Sequence, residues 1–555
     1  MNKKVCSFPI LFALLALLIG TCAVVFPASA QAAPTSTGSI TVSGTVASSY
    51  DAYQIFSANV VDGDSDAKIA TDLAWASDAV RDAALPVLHS AGMPNSQTTA
   101  QEAAEWLNAD SHLTSALSAQ LARSLQSSGA ESVALNAGTA AELSCGYWLI
   151  VADDDAIAQG EAGTAPIMAL VGGGAVTVKP KAATPKVQKH VLEDSTAAWQ
   201  KAADATVADD LYWRLSATVP AGLTAYDTYT VRFVDTMSAG LDPSKVAASM
   251  RVYVAAGTDG GFDAVQTDKD GRAGTEPAKG WTDITAQCAT KVAAGGTFTV
   301  RTGDLIAALG GADAFTAGAR VVAVYNAPLN GACNHGIAKG NPNEVYLRYP
   351  RSPFADQSGD AGFTRTPSDD ACAYTWDLAL TKRGSDGDKP LAGAVLSIAD
   401  DRGRTLATDG TWDAEGKATV TTGEDGRVTV SGVDSGKLEV RELKAPKGYT
   451  AFEGTRSVTV KAEGLDVDQV AAAKPKLTIT AESPLRADSA DGSTGSLEAS
   501  LINTPTGTPP SITTGGFMPS TGDMAMYAAA AAAVAGAALI VVALLVKRGG
   551  GSHKE

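Results

Sequence analysis

The sequence predicts a mainly β protein, in which tandem Ig-like β-sandwiches follow a mixed α/β N-terminal domain. Its 555 residues correspond to about three or four domains at roughly 100 to 200 residues each. Short alternating runs such as Thr297–Arg301 are separated by Gly, Asp and Asn clusters, a pattern typical of β-sandwiches. Hydrophobic residues make up 45% of the chain, so most of it can fold around apolar cores.

Charge and composition exclude several classes of function. The chain has 43 Lys and Arg against 60 Asp and Glu, a net charge of -17, which argues against a phosphate-binding surface and a nucleic-acid partner. Its 5 His and 6 Cys are few and scattered, so neither a metal site nor a redox cofactor is predicted. Hydrolase, metalloprotease and nucleotide-binding motifs are absent from the sequence. We therefore expect a protein that is not an enzyme and has no cofactor.

The N-terminus has the pattern of a cleaved secretory signal. Lys3 and Lys4 precede an apolar run over residues 8–26, and a small-residue cleavage pattern ends at Ala30. The alternative is an N-terminal membrane helix, but Pro9 and Gly20 interrupt the run. We expect residues 1–30 to be removed on export.

The C-terminus has the pattern of a membrane span. Residues 524–546 form an almost wholly apolar run of about 23 residues, enough to cross a ~30 Å hydrocarbon layer. Lys547 and Arg548 follow directly, which places the short tail in the cytoplasm. The preceding chain would then be extracellular.

Composition shifts divide the exported part. A mixed domain over residues 31–181 ends in a Pro- and Lys-rich linker. A middle β-sandwich over 182–370, a second sandwich over 371–505, a Thr-, Pro- and Gly-rich stalk over 506–517 and a C-terminal segment over 518–555 follow. The predicted elements are, in order, a strand over 39–46, a helical region over 98–125, and strands over 147–152, 176–178, 229–234, 297–301, 321–325, 377–381, 394–398, 427–430, 437–441 and 456–461.

A short motif directly before the apolar run resembles the LPXTG-like sorting signal of Gram-positive wall-anchored proteins. Its residues are Met518, Pro519, Ser520, Thr521 and Gly522, with Met in place of the usual Leu. The resemblance implies that a sortase thiolate attacks the Thr521 carbonyl and releases Gly522 with everything behind it. An amine then resolves the acyl-enzyme. The alternative is a permanent membrane tether.

A motif in the third domain is similar to the E-box of Gram-positive pilins and collagen-adhesin B-type domains. Residues 438–449 contain its Glu, Ala-Pro and Gly-Tyr positions, with Glu442 as the acid. Lys382 and Asn503 fall where that family has its first-strand Lys and last-strand Asn. The resemblance implies an isopeptide bond between Lys382 and Asn503, with Glu442 polarising the Asn carbonyl in a buried site.

The middle domain resembles the second domain of fimbrial shaft pilins less completely. Lys189 and Asp235 occupy the Lys and acid positions. The closing Asn of the family is absent from residues 349–353, which read Tyr, Pro, Arg, Ser and Pro. A second crosslink is therefore not expected unless Asn341 or Asn343 substitutes.

Four cysteines lie outside the signal segment, and an extracellular location permits them to pair. Cys288 and Cys333 share one predicted domain and are candidates for a disulfide, but four cysteines allow three connectivities, and free thiols are the alternative. The four are Cys145, Cys288, Cys333 and Cys372.

Residues 176–181 resemble the pilin motif of shaft pilins, which makes Lys181 the candidate polymerising amine, with Lys179 and Lys186 as rivals. Taken together, the chain is similar to a fimbrial shaft pilin. The resemblance implies a sortase substrate that polymerises head to tail between Thr521 and Lys181 and contributes to adhesion. The implied partners are sortases, identical subunits, minor pilins, peptidoglycan and host surface receptors. A wall-anchored adhesin or basal pilin that does not polymerise is the main alternative, and a surface hydrolase is a distant third.

Overall fold

The computed structural model describes residues 37–507, except 64–66, 110–111, 164, 181–183, 222, 258–260 and 269–270. No helix within these residues has the length and apolarity needed to span a membrane. Several predicted features lie outside the described residues and stay predictions: the signal segment 1–30, Lys181, the motif Met518 to Gly522 and the apolar run 524–546.

The N-terminal region packs three helices against a five-stranded sheet, with a three-stranded sheet on its other side. The first sheet has the order β3-β2-β6-β7, with β4 also on β2, and the second has the order β5-β1-β8. The elements are β1 (Thr37–Val42), β2 (Ser49–Asp62), β3 (Lys68–Trp75), α1 (Asp78–Ser90), α2 (Ala100–Asn108), α3 (Ser115–Ser128), β4 (Val133–Asn136), β5 (Ala140–Ser144), β6 (Gly146–Ala152), β7 (Ile167–Val171) and β8 (Val176–Val178).

Local capping explains why the predicted helical region forms two helices. Thr99 and Glu102 form a capping box at the start of α2, which satisfies free backbone N–H groups. The Thr114 side chain accepts a hydrogen bond from Leu117 N at the start of α3, and Gly129 ends that helix with a φ of 71°, a value that Gly adopts without strain. Ala109 at the end of α2 and Thr114 before α3 both have extended backbone geometry, so the helical pattern is interrupted between the two helices.

The middle region is a β-sandwich of a six-stranded and a seven-stranded sheet. The orders are β10-β9-β12-β20-β14-β17 and β11-β23-β21-β13-β19-β18 with β22 on β21, and β15 and β16 form a separate hairpin. The elements are β9 (Val187–Glu193), β10 (Ala198–Gln200), β11 (Ala202–Asp204), β12 (Tyr212–Thr218), β13 (Arg232–Met237), α4 (Val246–Ser249), β14 (Arg251–Ala255), β15 (Val265–Thr267), β16 (Ala273–Pro277), β17 (Thr282–Asp283), β18 (Ala289–Val292), β19 (Thr297–Arg301), α5 (Leu305–Ala308), β20 (Arg320–Asn326), β21 (Asn341–Pro350), β22 (Phe363–Arg365) and β23 (Asp369–Tyr374).

The C-terminal region is a second β-sandwich. Its sheets have the orders β29-β24-β35-β31, with β34 on β35, and β27-β26-β25-β30-β32-β33, with β28 on β25. The elements are β24 (Trp376–Gly384), β25 (Val395–Ala399), β26 (Thr405–Leu406), β27 (Trp412–Asp413), β28 (Val420–Thr421), β29 (Arg427–Val433), β30 (Gly436–Lys444), β31 (Tyr449–Thr450), β32 (Thr455–Glu463), β33 (Lys476–Ala481), β34 (Leu485–Asp491) and β35 (Ser496–Pro505).

The first and last strands of this C-terminal sandwich are direct neighbours. β24 pairs with β35 in parallel, with Lys382 opposite Leu501 and Gly384 opposite Asn503. Residues far apart in sequence are thereby brought to one place in the core. The predicted mainly β fold class is confirmed.

Candidate functional site

Lys382 lies in the core of the C-terminal sandwich. Its exposed fraction is 0%, and its Nζ donates a hydrogen bond to Leu501 O at 3.0 Å. Burial lowers the pKa of Lys382 to about 8, although the negative charge of Glu442 opposes this shift. A much larger share of the amine is therefore neutral near pH 7 than for an exposed lysine.

Asn503 and Glu442 meet beside this lysine. Asn503 Nδ2 lies 2.8 Å and 3.0 Å from the two carboxyl oxygens of Glu442, and Glu442 also accepts a hydrogen bond from Phe452 N at 3.1 Å. Asn503 Oδ1 is buried and accepts no hydrogen bond from any residue that the structure describes. Glu442 therefore contacts the amide nitrogen, whereas the sequence-based expectation was a contact to the carbonyl oxygen.

The three residues come from three different strands. Lys382 and Asn503 lie on the paired strands β24 and β35, and Glu442 lies on β30 of the facing sheet. All three are buried, with exposed fractions of at most 6%. The arrangement places a nucleophilic amine, a carboxamide and a carboxyl group together where water has little access.

A second buried cluster lies in the middle sandwich around Lys189. Lys189 and Asp235 form an ion pair with both side chains fully buried. The Tyr325 hydroxyl accepts a hydrogen bond from Lys189 Nζ at 2.9 Å and donates one to Asp235 at 3.1 Å. Burial lowers the pKa of Lys189 to about 8 and raises that of Asp235. Tyr325 was not singled out from the sequence, because nothing in a strand pattern marks a hydroxyl that faces the core.

The structure separates the two candidate asparagines of this domain. Asn343 donates a hydrogen bond from Nδ2 to the Tyr325 hydroxyl at 2.8 Å, and its Oδ1 is buried without a hydrogen-bond partner among the described residues. Asn341 bonds instead to Asn334 O and Ala373 O, at 2.9 Å and 3.2 Å. Asn343 is thus linked through Tyr325 to the lysine cluster, whereas Asn341 holds backbone groups together.

The candidate disulfide is not present. Cys288 and Cys333 are both free. Cys288 Sγ donates to Ile284 O at 3.2 Å, and Cys333 Sγ lies 3.5 Å from His335 Nε2. Cys288 directly precedes β18, while Cys333 lies in the loop before β21, three positions away in the sheet. Cys288 lies near the Arg232 end of β13, whereas the loop that holds Cys333 is hydrogen-bonded to Gly240, beyond the other end of that strand. The length of a six-residue strand, about 20 Å, exceeds the ~7 Å between Cα atoms that a disulfide spans.

The thiols do not have the electrostatics of nucleophiles. His335 Nδ1 lies 2.8 Å from Asp377 Oδ2 without the alignment of a hydrogen bond. The side chains of Cys333, His335 and Asp377 are therefore neighbours in that order. Burial nevertheless raises the pKa of Cys333, and that of Cys288 to about 11. Both thiols are protonated at neutral pH and therefore weakly reactive.

Two of the three candidate polymerising lysines are described, and both are exposed. Lys179 follows β8, and Lys186 precedes β9. These positions flank Lys181, which lies outside the described residues. All three lysines therefore remain candidates for the polymerising amine.

Each of the two successive β-sandwiches contains a buried lysine close to a carboxyl group and a carboxamide. This is the arrangement that the sequence resemblance to pilins implies. Comparison with known proteins agrees. Residues 377–474 match the SpaA family model, a prealbumin-like fold domain. The chain is 30% identical over 143 residues to the trypsin-resistant surface T6 protein of Streptococcus pyogenes serotype M6, an alignment that covers 24% of this chain and 24% of that protein.

Solved structures with similar folds include two pilins. The T6 backbone pilin of serotype M6 Streptococcus pyogenes has a TM-score of 0.46 and 16% identity, covering 85% of this chain and 98% of that one. The full-length major pilin SpaD from Corynebacterium diphtheriae has a TM-score of 0.40 and 15% identity, covering 84% and 98%. The match to the SpaA family model and the relationship to the T6 surface protein confirm the predicted resemblance to Gram-positive shaft pilins.

Proposed function

We propose that this chain is the structural shaft subunit of a covalently polymerised surface pilus, in which sandwich domains crosslinked by their own side chains carry load. The observation that carries the proposal is the buried cluster of Lys382, Glu442 and Asn503, which joins the first strand of a sandwich to its last. A bond between neighbouring parallel strands ties the two ends of the module together. Force applied along the chain would then bypass the intervening residues.

The crosslinking step balances without a cofactor. The neutral Lys382 amine attacks Asn503 Cγ, a C–N bond forms, and the bond from Cγ to Nδ2 breaks. The proton lost by the amine leaves on the departing nitrogen as ammonia. Glu442 contacts that nitrogen with both oxygens, so it can take the proton from the lysine and deliver it to the leaving group.

We extend the same chemistry to the middle sandwich, with Lys189 as nucleophile, Asn343 as carboxamide and Asp235 as acid. The support is the chain of contacts from Lys189 through Tyr325 to Asn343. This bond would join β9 of one sheet to β21 of the other and lock the sandwich across its core. It takes up the alternative that the sequence left open, in which Asn341 or Asn343 substitutes for the missing closing Asn.

Polymerisation would use one residue between the first two regions of the chain and one residue that follows the C-terminal sandwich in the sequence. The sortase would join Thr521 of one subunit to Lys181 of the next, a head-to-tail contact that does not close and therefore grows as a fibre. In the sequence, Lys181 falls between β8 and β9. In this scheme peptidoglycan receives the last subunit, while minor pilins and host receptors contribute to adhesion.

Surface extracts of the producing cell test the proposal. A shaft subunit gives a ladder of high-mass species that survives boiling in detergent, and Lys181→Ala reduces it to monomer while wall attachment continues. The variants Lys179→Ala and Lys186→Ala are matched controls that should keep the ladder. Wall-attached protein without any ladder in the parent strain would instead assign the chain as an adhesin or basal pilin.

A further inference from the structure

The middle sandwich has a row of four arginines directly opposite one another on its outer face. Arg232 on β13 pairs in register with Arg301 on β19 and with Arg348 on β21. Arg348 in turn pairs with Arg365 on β22. Like charges directly opposite across strands destabilise a sheet. Their concentration is unexpected in a chain of net charge -17. Arg232, Arg301 and Arg348 donate hydrogen bonds to backbone carbonyls of residues 357–360, but Arg365 has no such role.

The row is only partly neutralised. Asp360 forms ion pairs with Arg232 and with Arg348, the latter at 3.0 Å. Within the described part of the chain, Arg301 and Arg365 have no ion-pair partner. Arg301 reaches a backbone carbonyl at 3.3 Å, and the Arg365 guanidinium lies 5.2 Å from the centre of the Tyr346 ring. One carboxylate thus pairs with two of the four guanidinium groups, and the other two have no ion pair among the described residues.

One end of the row opens into a cavity of about 460 Å³ at the junction with the N-terminal region. Arg348, Arg365 and a further arginine, Arg351, line it together with Gln159 from the N-terminal side. Arg351 reaches Asp154 O at 3.2 Å and lies 4.0 Å from the Asp155 carboxylate. A cavity of this size suits a small ligand, and both regions contribute to its walls.

Three guanidinium groups around one concavity favour a particular ligand chemistry. Each guanidinium presents a planar fork of N–H donors that matches the oxygens of a phosphate or sulfate group. An anion with three terminal oxygens can engage several forks at once, whereas a carboxylate has only two oxygens to offer. The volume leaves room for about one sugar ring attached to the anion.

We propose that this cavity binds a sugar-sized unit carrying a sulfate or phosphate ester. The ester lies against Arg348, Arg351 and Arg365, and Gln159 contacts the sugar hydroxyls. Further anionic groups of a longer saccharide chain continue along Arg232 and Arg301, whose strands lie about 5 Å apart. This site is independent of the crosslinks and of polymerisation, so it holds for a pilus subunit and for a monomeric surface protein alike.

Calorimetric titration of the full-length protein with glucose 6-sulfate, glucose 6-phosphate and glucose tests the site. We expect saturable binding of at least one ester, no binding of glucose, and weaker binding at higher salt. Binding of the sulfate alone points to sulfated glycans as the source, and binding of the phosphate alone points to phosphorylated polymers. Binding of both supports the shared chemistry.

Variants separate this site from general charge effects. Arg351→Ala and Arg365→Ala should each weaken ester binding about tenfold, since each removes a charge-assisted contact. Arg486→Ala removes the same charge from an exposed position in the C-terminal region and should leave binding unchanged. An equal loss with Arg486→Ala, or no saturable binding of either ester to the parent protein, overturns the proposal. Concentration-dependent self-association that Arg365→Ala abolishes, without ester binding, would assign the row to a contact with an acidic surface of a second copy.

Discussion

Replacing Asn503 by Ala removes the carboxamide from the C-terminal cluster and should prevent the crosslink to Lys382. The bond would close a loop of about 120 residues, for which the chain-entropy model gives on the order of 5 kcal/mol, by analogy with a disulfide. At roughly 3 to 5 °C per kcal/mol for a domain of this size, the C-terminal unfolding transition should fall by about 15 to 25 °C.

Intact mass and calorimetry of the full chain measure this effect. The parent protein should lack about 17 Da for each bond, because each bond releases one ammonia. After allowing for the mass of the substitution, Asn503→Ala should show one ammonia loss fewer than the parent. Lys382→Met, which keeps most of the buried volume, should give the same result, and the exposed Lys389→Met should change neither readout. An Asn503→Ala protein that shows as many ammonia losses as the parent would refute the assignment.

The uncrosslinked lysine should also make stability depend on pH. The pKa of buried Lys382 is lowered to about 8 from 10.5, so between these values the unfolded state binds more protons than the folded state, and stability rises with pH. Asn503→Ala should therefore gain up to about 3 kcal/mol in unfolding free energy across that window. The double variant Lys382→Met with Asn503→Ala, which has no amine to titrate, should lack this gain, and equal slopes for the two proteins would contradict the burial of a neutral amine.

Three further substitutions, with Asn341→Ala as a control, test the remaining assignments. Glu442→Ala should abolish the C-terminal ammonia loss in the intact mass, because no group then carries the proton to the leaving nitrogen; as many ammonia losses as in the parent protein, after allowing for the substitution, would exclude Glu442 as the acid. Asn343→Ala should remove a second ammonia loss and lower the middle transition by a comparable amount, while Asn341→Ala should keep that loss; the reverse pattern would reassign the carboxamide. Thr521→Ala should leave the protein in the membrane fraction with its tail attached, and wall-linked product ending at residue 521 would contradict the sorting signal.

Local patterns in the sequence predicted many of the strands and the residues of the C-terminal site. Strand patterns predicted β6, β19, β20 and the main strands of the C-terminal sandwich; burial alternates with a period of two along β19, β29 and β30, whereas β6 and β20 are continuous apolar runs buried on both faces. The order of Lys382, Glu442 and Asn503 could be transferred from the E-box resemblance because all three fall at motif positions. The structure then brings these three residues into one buried cluster.

Other features depended on which strands pair and in what register. From the sequence, Asn343 was only an alternative to the closing Asn that is missing from residues 349–353. In the structure, Asn343 lies on the inward side of β21 and contacts Tyr325. Cys288 and Cys333 looked compatible within one domain, but the strand order separates them. The arginine row arises from positions between 232 and 365 that only cross-strand register aligns. The spacing of residues in the sequence shows which positions of a strand face the same side. Which side chains meet across strands depends on the pairing and register of those strands, and these are set by the packing of the whole sandwich.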